Sequence, residues 1–428
     1  MSQPVIGFAG LTHLGIHSAV ASAARGFQVI GYDADSALVA GLKRGVLPVE
    51  EPQLPELLAA HGGLLKFDSF PRILAACDIV YVSVDVPTDD HGVSDLAPIH
   101  KMIHAVTANL HANALLIILC QVPPGFTRLI TWPTSQLYYQ VETLIFGRAI
   151  ERALYPEQII LGCSRPEQQI DDKLLNYIQA FDCPILPMHY ESAELAKISI
   201  NMFLVASVTT ANTLAELCEQ VGADWAEIVP ALRLDKRIGP HAYLNPGLGI
   251  AGGNLERDLA TVLRYARDYN TDGTVVAAWV ANSQHCKDWA WRTLTALVPS
   301  QLHKAKIAML GLTYKADTDS TKNSAALALL EQLSECTVNA FDPQAAITTT
   351  GPGVCRTQTA FAAIDGADVL VIMTPWPEFR KLTSADLATL MVGRVVIDPY
   401  RMLDAATLKA AGFSYATIGA QISILRAQ

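Results

Sequence analysis

The sequence predicts an α/β protein in which two parallel-sheet domains flank a central helical domain with a long spine helix. Three observations carry this. Strand, glycine-containing turn, helix and strand follow one another within the first 33 residues. The same rhythm returns beyond Pro299–Ser300. Between the two, the stretch from Glu191 to Gln220 holds neither proline nor glycine.

The elements follow in chain order. PVIGFA at 4–9 reads as a buried strand, 16–25 as a helix stopped by Gly26, and QVIGYD at 28–33 as a second strand ending in aspartate. Strands are expected at 78–84, 115–120 and 159–162, with a helix at 98–110. A near-continuous apolar strand suits a parallel sheet covered on both faces. The first domain closes at 187. The spine would run about 45 Å at 1.5 Å per residue, too long for an ordinary surface helix. Helices at 224–233, 254–269 and 273–297 complete a helical domain over 188–299. Strands at 306–311, 337–343, 368–374 and 394–399, with a helix at 324–334, build the last domain over 300–428.

Composition narrows the function. The 428 residues are 51% hydrophobic and 17% charged, and 31 basic against 41 acidic side chains give a net charge of −10. An acidic chain without a Lys/Arg run is poorly built to grasp a nucleic-acid backbone, so an anionic ligand must be held locally, at helix N-termini. None of the eight cysteines approaches C-x-x-C spacing, so neither a zinc site nor a redox dithiol is expected, and no metal. There is no run of 18 apolar residues and no basic segment ahead of an apolar one at the N-terminus. A cytoplasmic protein without membrane contact is the expectation.

The first turn reads Gly10-Leu11-Thr12-His13-Leu14-Gly15. A dinucleotide-binding turn of the Rossmann type wants glycine at the first, third and sixth positions. Gly10 and Gly15 fit; Thr12 stands where the backbone approaches the pyrophosphate, and its hydroxyl is placed to donate to a phosphate oxygen. Asp33 lies 23 residues after Gly10, where a carboxylate accepts the ribose hydroxyls, and no cation follows before Lys43. NAD is therefore favoured over NADP. Thr88, past the strand at 78–84, is expected at the nicotinamide end. Both ends of the chain are then Rossmann-like.

With these residues stand GVLPVEEPQLPELL (45–58), VPTDDHGVSDL (86–96), CQVPPG (120–125), AELAKISIN (193–201), RIG (237–239), PGLGIAGGNLERD (246–258), GLTYKADTD (311–319) and TPWPEF (374–379). Together they resemble the UDP-glucose/GDP-mannose dehydrogenase family over nearly the whole chain. The resemblance implies an NAD domain, a helix at a homodimer axis and a nucleotide-sugar domain. It also implies oxidation of a sugar-nucleotide CH₂OH to a carboxylate with two NAD, through a cysteine thioester.

Carried over residue by residue, the resemblance implies that Lys197 stabilises an oxyanion, Asn201 fixes water and sugar oxygens, and Asp258 acts as base or relay. Cofactor contacts fall on Gly10, Thr12, His13, Leu14, Gly15, Asp33, Val84, Pro87, Thr88, Gln121 and Lys315. Substrate contacts fall on Glu142, Lys197, Asn201, Tyr243, Gly249, Gly253, Arg257, Lys315, Tyr400 and Arg401, with Arg237 reaching across the dimer. Arg257 replaces the usual lysine, and Tyr400 stands where the family has an arginine, leaving Arg401 displaced by one. For Glu194 the choice lies between a structural salt bridge and a site role.

The family's catalytic loop, Gly-Phe-Gly-Gly-Ser-Cys-Phe-Pro-Lys-Asp, corresponds to Gly249–Asp258, with Asn254 at the cysteine. A carboxamide is not a nucleophile and carries no acyl intermediate. Cys120 is the nearest alternative thiol by topology. In VETLIFG (141–147), Glu142 matches the first glutamate of the family segment and Phe146 replaces the second. The expected function is thus NAD-dependent oxidation of a nucleotide-activated sugar that stops after one hydride transfer. The alternatives are a catalytically inactive NAD or nucleotide-sugar binding protein, and a structural partner of an active dehydrogenase.

Overall fold

The computed structural model describes residues 3–49, 51–87, 89, 94–145, 147–298, 302–345 and 353–423. The chain divides into two compact units, Met1–Ile200 and Asn201–Gln428.

The first unit contains β1 (Ile6–Ala9), α1 (His13–Ala24), β2 (Val29–Tyr32), α2 (Ser36–Lys43), α3 (Leu54–His61), β3 (Leu65–Asp68), β4 (Ile79–Val82) and α4 (Ala97–Thr107). It continues with β5 (Leu115–Ile118), β6 (Leu137–Gln140), α5 (Ala149–Leu154), β7 (Ile159–Cys163), α6 (Asp172–Gln179) and β8 (Ile185–His189). The sheet order is β3-β2-β1-β4-β5-β6-β7-β8, parallel except between β6 and β7. Alternate residues feed opposite faces: Phe8, Tyr81 and Ile117 join α1 and α6 on one side, and Val80, Val82 and Ile118 join α4 on the other. The order reverses between β1 and β4, whose carboxyl ends carry the Gly10 turn and the 83–87 segment. Such a switch point is where open α/β sheets hold ligands.

Helix α7 (Tyr190–Val221) runs 32 residues across the division. It is long and apolar enough to cross a bilayer, although 39% of its most apolar window is buried within the chain. The second unit adds α8 (Trp225–Leu234), α9 (Asn254–Asp268), α10 (Thr274–Lys287) and α11 (Trp289–Leu297). Then come β9 (Lys306–Leu310), α12 (Ala325–Gln332), β10 (Thr337–Phe341), β11 (Val354–Arg356), α13 (Ala360–Ile364), β12 (Val369–Ile372), α14 (Ser384–Leu390), β13 (Val395–Ile397), α15 (Ala405–Ala410) and β14 (Ser414–Ala416). The sheet is parallel throughout, in the order β11-β10-β9-β12-β13-β14. Trp225, Trp289 and Leu294 are buried in one cluster with Ile307, Met309 and Val371, so α8 and α11 share the core of this sheet. The single helix expected over 273–297 is two, parted at Asp288. The break seats the Trp289 ring in that core while its indole N–H donates to Glu219 at 3.1 Å.

Candidate active site

In the first unit the turn after β1 has the construction a dinucleotide needs. Gly10 has φ +98°, and a Cβ there would lie 3.0 Å from the Ser83 and Val84 backbone. A Cβ on Gly15 would lie 1.7 Å from the Gly10 carbonyl oxygen, so only glycine lets α1 close on the turn. The Asp33 carboxylate, half-buried at the end of β2, accepts from the Leu11 N–H at 2.8 Å and the Asp35 N–H at 3.0 Å. The donors at the start of α1 are already turned toward an anion. The Thr12 hydroxyl donates to Asp85 Oδ2, and the His13 N–H donates to the same oxygen at 3.1 Å. Thr12 therefore meets a carboxylate where a phosphate oxygen was expected. The Leu14 side chain is buried in the core, which leaves only its backbone for a ligand. Val84 and Gln121 are half-buried, Pro87 is exposed, and Thr88 and Phe146 lie outside the described residues.

Elsewhere in this unit Lys197 Nζ lies 3.4 Å from Glu142 Oε2, both side chains largely buried. Glu142 also accepts from the Leu144 N–H. Glu194, wholly buried, accepts from the N–H groups of Gly125 at 2.5 Å and Thr127 at 2.8 Å. It fixes the loop after β5 through backbone hydrogen bonds, and among the described residues it forms no salt bridge. Burial pushes its carboxyl above the usual range against those bonds. Cys120 is fully buried with its thiol against the Val82 carbonyl, and burial pushes it up to about 12. It is not an available nucleophile.

In the second unit the Gly249–Asp258 segment enters α9 through glycines. A Cβ on Gly249 would meet the Ser283 carbonyl at 2.4 Å, and one on Gly252 the Tyr314 ring at 2.4 Å. Gly253 has φ +93° and caps α9, donating its N–H to Glu256 at 3.2 Å. Asn254, the first residue of α9, is exposed. One turn on, Asp258 is 1% exposed and accepts from Asn201 Nδ2 at 2.5 Å, with Arg257 Nε at 3.4 Å from its other oxygen.

The remaining residues expected at the substrate are less gathered. Arg237 is exposed and paired with Asp235 at 2.6 Å, and Tyr243 is exposed. Arg401 is tied to Asp224 at 2.6 Å. Tyr400 lies against Gly247, with burial pushing its hydroxyl upward. The Lys315 ammonium stands 5.8 Å above the Tyr314 ring. Sequence reasoning missed Asp85 as the partner of Thr12; its place, just after an apolar strand that neighbours β1, was the available signal.

Three family models match in order: the NAD binding domain of the UDP-glucose/GDP-mannose dehydrogenase family over residues 5–179, its central domain over 191–284 and its UDP binding domain over 308–405. The chain belongs to the UDP-glucose/GDP-mannose dehydrogenase family. It is 28% identical to a UDP-glucose 6-dehydrogenase of Rickettsia conorii, covering 97% of this chain and 100% of that protein. It is 29% identical to another of Rhizobium meliloti, covering 96% and 98%. Among solved structures, a UDP-glucose dehydrogenase from Pyrobaculum islandicum aligns with a TM-score of 0.86 at 26% identity, covering 98% of each chain. The UDP-D-ManNAc dehydrogenase of Pyrococcus horikoshii shares the fold, with a TM-score of 0.83 at 24% identity, covering 97% of this chain and 99% of that one. As in the rest of this dehydrogenase family, the cofactor is NAD. The glycine cradle and the anion-directed donors of α1 fit it.

Proposed function

We propose that this chain removes one hydride from the alcohol of a nucleotide-activated sugar and releases an aldehyde or ketone. Asn254, exposed at the head of α9 where the family carries its thiol, carries the reading. Bound NAD supplies the hydride acceptor. Asp258 takes the hydroxyl proton as the carbon–hydrogen pair leaves, and Lys197 offsets the charge developing on oxygen. Asn201 holds the Asp258 carboxylate in place. A second oxidation by the family route needs a sulfur–carbon bond that a carboxamide cannot form. The functional parts we assign are residues 1–187 for NAD, 188–299 for dimerisation and 300–428 for the nucleotide sugar. Exposed Phe203, Leu214 and Leu217 along α7 support a homodimer. The reaction is assigned to the cytoplasm.

The test is NADH stoichiometry and mass analysis of the product with a panel of UDP-, GDP-, CDP- and dTDP-sugars. One NADH per sugar, with a product trapped by a carbonyl reagent, is expected; two NADH and a free carboxylate overturn the one-step reading. A second reading, an inactive NAD-binding protein, is favoured by Asp85, whose carboxylate holds the donors at the start of α1. Absence of NADH formation with every sugar would select it.

A further inference from the structure

A second cluster of chemistry-bearing side chains lies in the first unit. His13 and His17 are four residues apart in α1, so both imidazoles stand on one face, with ring centroids 4.5 Å apart. Glu51, just before α3, reaches the same place. One donor atom from each of the three lies within 4.8 Å of the others.

Two of the three groups have a reason to want a cation. His17 is wholly buried, and its Nδ1 lies 2.5 Å from the His13 carbonyl oxygen. A carbonyl can only accept, so Nδ1 carries the proton and Nε2 keeps its lone pair. Among the described residues that buried Nε2 has no hydrogen-bond partner, a costly state for a polar atom. Metal-bound histidines have this arrangement, with the second ring nitrogen donating to a carbonyl that fixes the tautomer. Glu51 is 6% exposed. Its oxygens accept from the Gly147 N–H at 3.1 Å and the Ala149 N–H at 2.6 Å. Among the described residues no lysine or arginine pairs with it, so a buried negative charge lies beside a buried lone pair.

We propose that His13, His17 and Glu51 bind one divalent transition-metal ion of the zinc class, with water completing the coordination. Two imidazoles and a carboxylate are a donor set for zinc and are unsuited to magnesium. Bonds of about 2.0–2.1 Å put the ligand atoms of a tetrahedral ion roughly 3.3 Å apart, so the cluster closes by an ångström or so on binding. His13, half-buried in the first turn of α1, has the freedom to make that movement. The bound ion ties the start of α1 to the segment entering α3. This departs from the expectation of no metal drawn from cysteine spacing, because the ligands are histidines one helical turn apart and a glutamate 34 residues further on.

The full-length protein, stripped with a chelator and desalted, is titrated with Zn²⁺, Co²⁺ and Mg²⁺ by calorimetry and visible spectroscopy. One equivalent of Zn²⁺ should bind, Co²⁺ should give the strong visible bands of a tetrahedral site, and Mg²⁺ should not bind. The chain has eleven histidines, so His13→Ala decides the location; it should lose the equivalent and the cobalt bands. Glu51→Gln, which keeps an acceptor oxygen and removes the charge, should weaken binding. Retention of the equivalent in His13→Ala, or failure of wild type to bind Zn²⁺, overturns the proposal. Because His17 is buried, His17→Ala is read only if its circular dichroism matches wild type.

Discussion

Gly10-Leu11-Thr12 and Gly311-Leu312-Thr313 are the same three residues at the same place, the end of the third strand from one edge of each sheet. Each glycine has positive φ, +98° and +91°. Each donates its N–H to the last residue of the next strand, Tyr32 at 2.9 Å and Phe341 at 2.8 Å. Each leucine N–H then donates to an aspartate just past that strand, Asp33 at 2.8 Å and Asp342 at 2.7 Å. Beyond the threonine the two turns diverge. After Thr12 a helix begins at once, and the Thr12 hydroxyl and the His13 N–H donate to Asp85. After Thr313 the next helix waits until Ala325, and the intervening chain and Trp376 fill the site. Asp342 is 3% exposed and accepts from Leu312, Thr313, Gln344, Ala345 and the Trp376 indole. One turn is left open for a ligand and its twin is closed by the protein itself, so the tripeptide specifies a backbone shape and its surroundings specify the use.

The largest expected effect separates the two at the sixth position, Gly15 against Ala316. A Cβ on Gly15 would sit 1.7 Å from the Gly10 carbonyl, a backbone contact no rotamer relieves. Gly15→Ala should destabilise the first unit by about 3 kcal/mol or more, whereas Ala316→Gly should cost the second unit only about 0.5–1 kcal/mol. Urea unfolding followed by probes in each unit measures both. Equal small losses would show that close helix approach is not what distinguishes the turns.

Next comes the closed turn. Asp342→Asn should destabilise the second unit by about 3 kcal/mol, since a carboxamide sets an NH₂ against donors that a carboxylate satisfies. Burial alone would raise the Asp342 carboxyl, but the backbone N–H groups of Ala345, Leu312, Gln344 and Thr313 outweigh it and hold it below the usual 3.8. With the folded value depressed, the stabilisation is present above the unfolded value and is lost as pH falls through the folded one. The variant should therefore show a flatter loss of stability below pH 3.8. An unchanged acid limb would remove the carboxylate from the account.

How legible these features are depends on the range of the interaction. Helix α7 was visible because its cause is local, the lack of helix breakers over 191–220. The β1, β2, β4 and β5 strands announced themselves as apolar runs buried on both faces. β8 did not: it is an edge strand, mostly exposed, with Pro187 inside, and neither alternation nor an apolar run marks it. β3, another edge strand, carries Lys66 and Asp68. Asn254 was readable from the motif around it, whereas the pairing of Thr12 with Asp85 joins residues 73 apart and exists only once β4 lies beside β1. The Glu51 carboxylate, held by backbone N–H groups nearly a hundred residues on, is hidden for the same reason.

Asp85 sharpens the comparison from the open side. It holds the donors at the start of α1 that a pyrophosphate would use, so Asp85→Ala should tighten NAD about tenfold, or ~1.4 kcal/mol. The same change removes an acceptor at a helix N-terminus and should lower apo stability by about 1 kcal/mol. Opposite signs in a cofactor titration and a melting curve are the expected signature; weaker NAD binding would mean that Asp85 supports the site.

The smallest effect is expected at Asp33, the open-turn counterpart of Asp342. Asp33 is half-buried and accepts two backbone N–H groups, from Leu11 and Asp35. Removing it therefore leaves fewer stranded donors than removing Asp342, and water reaches those that remain. Stability should fall by no more than about 1 kcal/mol. The main change should be in ligand choice, because a carboxylate at the ribose accepts from two hydroxyls and repels a 2′-phosphate. Asp33→Ala should weaken NAD several-fold and leave NADP unchanged or slightly tighter, narrowing the preference without reversing it, since no cation stands between Asp33 and Lys43 to receive the phosphate. Titration of both cofactors against wild type and variant measures this. A preference that survives the substitution would place cofactor selection elsewhere and leave Asp33 as a structural turn residue like its twin.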